Sequence, residues 1–296
     1  MNKIVNEILA SFRIVACSSV SALKSKEKIV KGTIESDHKT AIIFADPIRC
    51  ASTLAVAFFY GIKWLVVSPK SGTKTVSQNK LLQFANKNRV NLYEAGELYG
   101  RPIRNAILGN SPLFSMQKKA IKNSVLHFYC SNLGSVVSNI THLLNKKDNK
   151  SNVDGFIANY YNWPNVCDQV LIGSYEKILY LSGGFYGNIS FEDFILGGLI
   201  ISNLSDNFSE LDDEAKAMYI SSQTIHDKND LDLLISLNSN NAISKWLSRL
   251  GKGDDVEACL DSNIFEEPLR GALHDIVPVM KWIDGIPLFV NERNEL

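Results

Sequence analysis

Several signals are missing from this 296-residue sequence, and each absence removes a class of function. The five cysteines, Cys17, Cys50, Cys130, Cys167 and Cys259, are odd in number and scattered, with no C-x-x-C pair. Reduced thiols are therefore expected, and a zinc site is not. No charge dominates: lysine plus arginine and aspartate plus glutamate both number 31, for a formal net charge of zero. That removes the electrostatic footprint of a nucleic-acid or anionic-membrane surface. No apolar run is long enough to span a bilayer, and Phe194 to Ile201 is short and holds Gly197 and Gly198. The opening residues Met1 to Glu7 lack the apolar core of a signal peptide. The expectation is a cytoplasmic protein with no nucleic-acid and no membrane partner, with a homo-oligomer left open. Neither the G-x-G-x-x-G fingerprint nor a P-loop is present. No repeat or linker divides the chain. One domain is expected over 1–296, with an N-terminal extension over 1–11 and a C-terminal tail over 266–296 that wraps the surface.

What is present is a globular composition, 45% hydrophobic and 21% charged. The chain is organised around Ala41-Ile42-Ile43-Phe44-Ala45-Asp46-Pro47-Ile48-Arg49-Cys50-Ala51-Ser52-Thr53. Ile42 to Ala45 reads as a strand buried on both faces. Pro47 has no N–H and stops that strand at Asp46. Leu54 to Phe59 reads as a buried helix with Ser52 or Thr53 as its N-cap. Lys63 to Ser68 is a second strand, which makes a βαβ unit. Asp46 could hold a metal. Arg49 and the helix start could hold an anion. A capped turn with a surface ion pair accounts for the same residues equally well.

Further strands end in polar groups. Val90 to Ala95 runs into Gly96-Glu97, and a Gly- and Pro-containing loop over 98–112 comes next, with Arg101, Arg104, Gly109, Asn110 and Ser111. Val125 to Cys130 ends in Ser131-Asn132 at a helix start, and His127 within it reads as packed. Ile178 to Ser182 enters a glycine turn, Gly183-Gly184. Ser190-Phe191-Glu192-Asp193 matches a capping box, so Asp193 is expected to cap its own helix and Glu192 is left without a structural role. A polar, anion-friendly site at the C-terminal edge of a mostly parallel sheet is the result.

The wording and order of these stretches resemble the 2-phosphosulfolactate phosphatases. Asp46 to Thr53 is similar to their D-V-L-R-A-T/S-T segment. Gly96-Glu97 with Leu108-Gly109-Asn110-Ser111-Pro112 is similar to G-E-R-G-G and L-G-N-S-P. Ser131-Asn132 stands at T-T-N-G-T, and Asn162 matches an asparagine of the next strand–helix turn. Gly183 through Asp193 is similar to A-G…F-S-L-E-D, and Gly251 to Asp261 to a C-terminal G…D-V…D. The resemblance runs from about residue 12 to 265. The chain departs from the pattern at Pro47, Leu98, Asn105-Ala106-Ile107 and Leu133.

The resemblance implies an α/β fold of three α/β/α layers with a mostly parallel or mixed sheet. It also implies a Mg2+-dependent phosphomonoester hydrolase acting on a small anionic phosphorylated substrate. Asp46, Arg49, Glu97 and Glu192 are then the candidate catalytic residues. Arg49, Ser52, Thr53, Asn110, Ser111, Ser131, Asn132 and Asn162 are the candidate substrate contacts, and Asp46, Glu97 and Asp193 the candidate metal ligands. Ser111 has no evident histidine partner, which favours direct attack by water. The departures leave two alternatives, another small phosphorylated anion as substrate or an inactive ligand-binding protein.

Overall fold

The alternation of Ala41-Ile42-Ile43-Phe44-Ala45 decides the layering. In a strand, successive side chains point to opposite faces. Accordingly Ile42 and Phe44 enter one apolar core, while Ala41, Ile43 and Ala45 enter another. A computed structural model of the chain describes residues 13–70, 75–98, 100–115, 121–145, 152–208, 210–228 and 231–291. The expected extension over 1–11 lies outside the described residues.

The strands are β1 (Ile14–Cys17), β2 (Thr40–Ala45), β3 (Trp64–Ser68), β4 (Asn91–Leu98), β5 (Arg101–Pro102), β6 (Ser124–Tyr129), β7 (Val153–Ala158), β8 (Lys177–Ser182), β9 (Pro278–Ile283) and β10 (Ile286–Asn291). They form one sheet in the order β1-β8-β2-β7-β9-β10-β3-β6-β4-β5. Helices cover both faces, which gives three α/β/α layers on a mixed sheet. Five helices lie at or near the polar strand ends: α1 (Ser52–Phe59), α2 (Asn132–Asn145), α3 (Phe191–Leu204), α4 (Ala242–Arg249) and α5 (Asp254–Leu260).

Two expectations are corrected. The stretch β2–α1–β3 is not a βαβ unit: β2 lies between β8 and β7, and β3 between β10 and β6. In the two halves of the sheet the sets β1-β8-β2-β7 and β3-β6-β4 are parallel, but the pairings β7/β9, β9/β10 and β10/β3, and β4 with the short edge strand β5, are antiparallel. The strands between the halves come from the C-terminal segment, which therefore does not merely wrap the surface. Its prolines suggest a tail, yet Pro278 and Pro287 both fit a strand. Pro278 is the first residue of β9, where a missing N–H is tolerated. Beyond Pro287, β10 meets β3 through Phe289 and Leu65. The sheet curves strongly, since Phe44 of β2 stacks edge-on against Phe289 of β10, 5.9 Å between centroids, although β7 and β9 lie between them. This curvature lets ends from both halves meet.

The edge strand β1 is covered by the backbone of 210–212, which bonds the N–H and the carbonyl of Ile14, and then by side chains. Asp212 accepts from the Ala16 N–H (3.3 Å) and the Ala215 N–H (2.8 Å), and takes Lys26 Nζ at 2.6 Å. Lys26 also reaches the Ala16 carbonyl at 2.6 Å. Asp212→Ala removes a helix cap, while Lys26 keeps Glu214 at 2.8 Å. A loss of roughly 1–2 kcal/mol is expected in a urea titration, and an unchanged midpoint would refute this role of Asp212 at the edge.

Candidate functional site

The ends of β2, β4, β6 and β8 converge on a cavity of about 340 Å³. Its polar lining is Asp46, Arg49, Glu97, Asn110, Ser131, Asn132 and Ser135. Its apolar lining is Ile48, Leu98, Phe185, Ile243 and Trp246. Phe185 and Trp246 lie edge to face at 6.0 Å, which fixes that wall.

Arg49 is the knot of the polar lining. It is 3% exposed, and its backbone has φ 81° and ψ −60°, a conformation a non-glycine residue rarely takes. The turn around it is closed by the Ala51 N–H donating to Asp46 O at 2.9 Å and by the Arg49 N–H reaching Cys259 Sγ at 3.0 Å. The twist turns the guanidinium inward between two acids. Nη2 donates to Glu97 Oε1 at 2.8 Å, and Nε to Asp255 Oδ2 at 2.8 Å. Lys252 Nζ and the Asn110 N–H also reach Glu97 Oε1, at 2.8 and 3.1 Å. Burial alone would push Glu97 up. Arg49 and Lys252 outweigh it, hold the carboxyl below its ordinary range and keep it ionised. On Asp255 burial wins, and the group is raised despite bonds from Ser111 and Arg49.

Two glycines make room for Glu97. Gly96 has φ +103°, and a Cβ there would lie 2.1 Å from the Tyr129 carbonyl oxygen. A Cβ on Gly109 would lie 2.7 Å from Glu97 Oε1. Gly96-Glu97 and Leu108-Gly109-Asn110 are thus two halves of one seat.

Asp46 lies at the foot of the cavity beside the start of α2. Its Oδ2 accepts from Cys130 Sγ at 3.3 Å. Burial pushes its carboxyl well up, and Cys130 and Asp193 push the same way. Cys130 itself is lowered to about 6, first by the Cys50 thiol and then, against burial, by the N–H groups of Leu133 and Asn132. The N-terminus of α2 therefore presents Ser131, Asn132 and Ser135 to the cavity.

The sequence has relatives among known proteins. A family model described as 2-phosphosulpholactate phosphatase matches residues 25–267. The chain belongs to that family. A Thermotoga petrophila relative is 24% identical over 221 residues, covering 74% of this chain and 88% of its own. A Clostridium beijerinckii relative is 26% identical over 266 residues, covering 88% of this chain and 96% of its own. Both relatives carry the name probable 2-phosphosulfolactate phosphatase.

Of the positions by which the chain resembles 2-phosphosulfolactate phosphatases, Asp46, Arg49, Glu97, Asn110, Ser131 and Asn132 meet around the cavity. The others stand behind its walls. Ser111 donates to Asp255 Oδ1. Ser52 donates to the Pro47 carbonyl at 2.7 Å instead of capping α1, and Thr53 is fully buried. Asn162 ties its own turn, accepting from the Asn159 N–H at 2.8 Å and donating to the Ile157 and Ile276 carbonyls at 3.1 and 2.8 Å. Asp193 does not cap α3. Its Oδ2 takes the Gly184 N–H at 2.8 Å and so pins the glycine turn. Glu192, left without a structural role by the sequence, has one. It accepts from the Ser190 hydroxyl and from Asn241 Nδ2 at 2.9 Å, and so binds α3 to the cap of α4. Arg101 and Arg104 are exposed and do not line the cavity.

Sequence reasoning missed Lys252, Asp255 and the Phe185–Trp246 wall. For Asp255 a signal existed, because it falls within the C-terminal segment of the resemblance. For Trp246, on an amphipathic helix, none did.

The donor set can be tested against a hard divalent cation. Glu97 Oε2 and Asn110 Oδ1 are buried without a hydrogen-bond partner. Buried polar oxygens in that state are costly unless something else satisfies them. With the Asp46 carboxylate they make an oxygen set on one cavity, which fits magnesium chemistry.

Proposed function

We propose that the chain is a Mg2+-dependent phosphomonoester hydrolase that resembles its named relatives, converting 2-phosphosulfolactate and water to sulfolactate and phosphate. One observation carries the reading: the N-terminus of α2 and two carboxylates, Asp46 and Glu97, line a single cavity. A phosphate needs positive ends and N–H donors on one side, and a cation held by acids on the other.

Asp46 and Glu97, with Asn110, would hold the magnesium, which when bound neutralises phosphate oxygens. Ser131, Asn132 and Ser135, at the start of α2, orient the phosphate. Arg49 gives two of its N–H groups to Glu97 and Asp255, so its main work is to fix the Glu97 carboxylate against the cavity. Among the described residues no histidine lines the cavity, Ser111 is bonded to Asp255, and the Cys130 thiol is engaged by Asp46 at 3.3 Å. In this reading water is the nucleophile: its oxygen bonds phosphorus as the ester oxygen leaves. Among the described residues no helix is long and apolar enough to cross a membrane, and a cytoplasmic setting belongs to this reading.

The test is phosphate release from a panel of phosphorylated 2-hydroxy acids, with magnesium and with a chelator. Magnesium-dependent release is expected, and release from none of the panel would overturn the reading. The apolar wall favours a specific second reading within it, a substrate carrying an apolar group in place of a second strong anion. Leu98, Phe185, Ile243 and Trp246 supply the matching surface. Trp246→Ala should then raise KM for apolar phosphomonoesters by about 10–100-fold, the worth of one side-chain contact. A KM unchanged for them and a preference for phosphosulfolactate would reject the apolar substrate alone.

A further inference from the structure

We propose that Asp46, Cys50 and Cys130 form a site for a thiophilic divalent cation, zinc first of all, at the floor of the cavity. One oxygen and two sulfurs, from the end of β2, the turn after it and the end of β6, lie within 4.8 Å of one another. Asp46 Oδ2 and Cys130 Sγ are 3.3 Å apart, already at the spacing of two ligands on one ion. A tetrahedral zinc with bonds of about 2.0–2.3 Å sets its ligand atoms roughly 3.3–3.8 Å apart, so the group needs to contract by about 1.5 Å at most.

The donors select the metal. Thiolates are poor ligands for magnesium and good ones for zinc, cadmium and cobalt. All five cysteines are unbridged, so both sulfurs are available. Cys50 is fully buried behind the floor, whereas Asp46 and Cys130 line the cavity. Three protein ligands leave a fourth vertex, and it opens on the cavity side, as in zinc sites that exchange a ligand. The N–H groups of Asn132 and Leu133 bond Cys130 from the other side and fix the sulfur's direction. The sequence offered no hint of this, because Cys50 and Cys130 are far apart in the chain and a zinc reading rests on short Cys spacings. Because Asp46 is shared, zinc and an oxygen-held magnesium exclude one another. That consequence rests on the phosphatase reading, while the binding does not.

The test uses the reduced, metal-free full chain. Cadmium titration is expected to give a thiolate charge-transfer band that saturates at one ion per chain. Zinc, read by competition with a chromophoric chelator, should lose at least about 100-fold in affinity in Cys50→Ala and in Cys130→Ala, and be unchanged in Cys167→Ala. X-ray absorption at the zinc edge of the wild-type chain should find two sulfur neighbours, which keeps the proposal testable where a variant does not fold. Absence of the band, a band that survives both substitutions, or a zinc shell without sulfur overturns the site.

Discussion

Asp46→Asn is expected to reduce magnesium-dependent phosphate release by at least ~100-fold while leaving the protein as stable as the parent, or more so. The rate argument is one of scale. Loss of an outer partner of a metal ligand already costs about 10–100-fold, so loss of a ligand should not cost less. The stability argument has the opposite sign. Burial pushes the Asp46 carboxyl well up, which means the folded chain disfavours its charge. The amide keeps the shape and removes that charge. Turnover kinetics with a thermal melt read both parts. Full activity in the variant would remove Asp46 from the site, and a large drop in melting temperature would assign it to the fold.

Arg49→Met is the second large effect, and it falls on stability first. The methionine fills part of the space but leaves Glu97 and Asp255, each with a side chain 5% exposed, without their shared cation. Breaking a buried ion pair from one side costs about 3–5 kcal/mol, because the charge left behind has no solvent. Lys252 remains on Glu97, so the lower end of that range is expected. The melting temperature should fall by roughly 5–10 °C. Arg49→Met combined with Glu97→Gln and Asp255→Asn should recover much of the loss, since no unpaired charge is then buried. If Arg49 instead served the phosphate alone, the single variant would lose activity at an unchanged melting temperature.

The layers of the fold are legible in the sequence because they rest on local rules. The apolar alternation of Ile42 to Ala45 and the strand-stopping Pro47 place Asp46 without tertiary information, and Gly96-Glu97 and Ser131-Asn132 are placed in the same way. Global arrangement is not legible. Adjacent apolar runs with a helix between them suggest β2 and β3 as parallel neighbours, yet the C-terminal hairpin parts them. Proline content makes that hairpin look like a tail.

Arg49 shows the limit within the site. From the sequence Arg49 reads as an anion contact or as half of a surface ion pair, and its burial between two acids depends on Asp255, 206 positions away. The capping box at Ser190 fits its sequence rule, but Asp193 finds a better donor in the positive-φ turn at Gly184. Local rules state what a side chain can do, and the fold decides which of the options it takes.

A crystal structure of the chain with magnesium and inorganic phosphate tests the central claim most directly. The phosphatase reading predicts a phosphate whose oxygens meet Asn132 and the N-terminus of α2, with a cation between it and Asp46. Phosphate bound elsewhere, with Asp46 and Asn132 facing solvent alone, would contradict it.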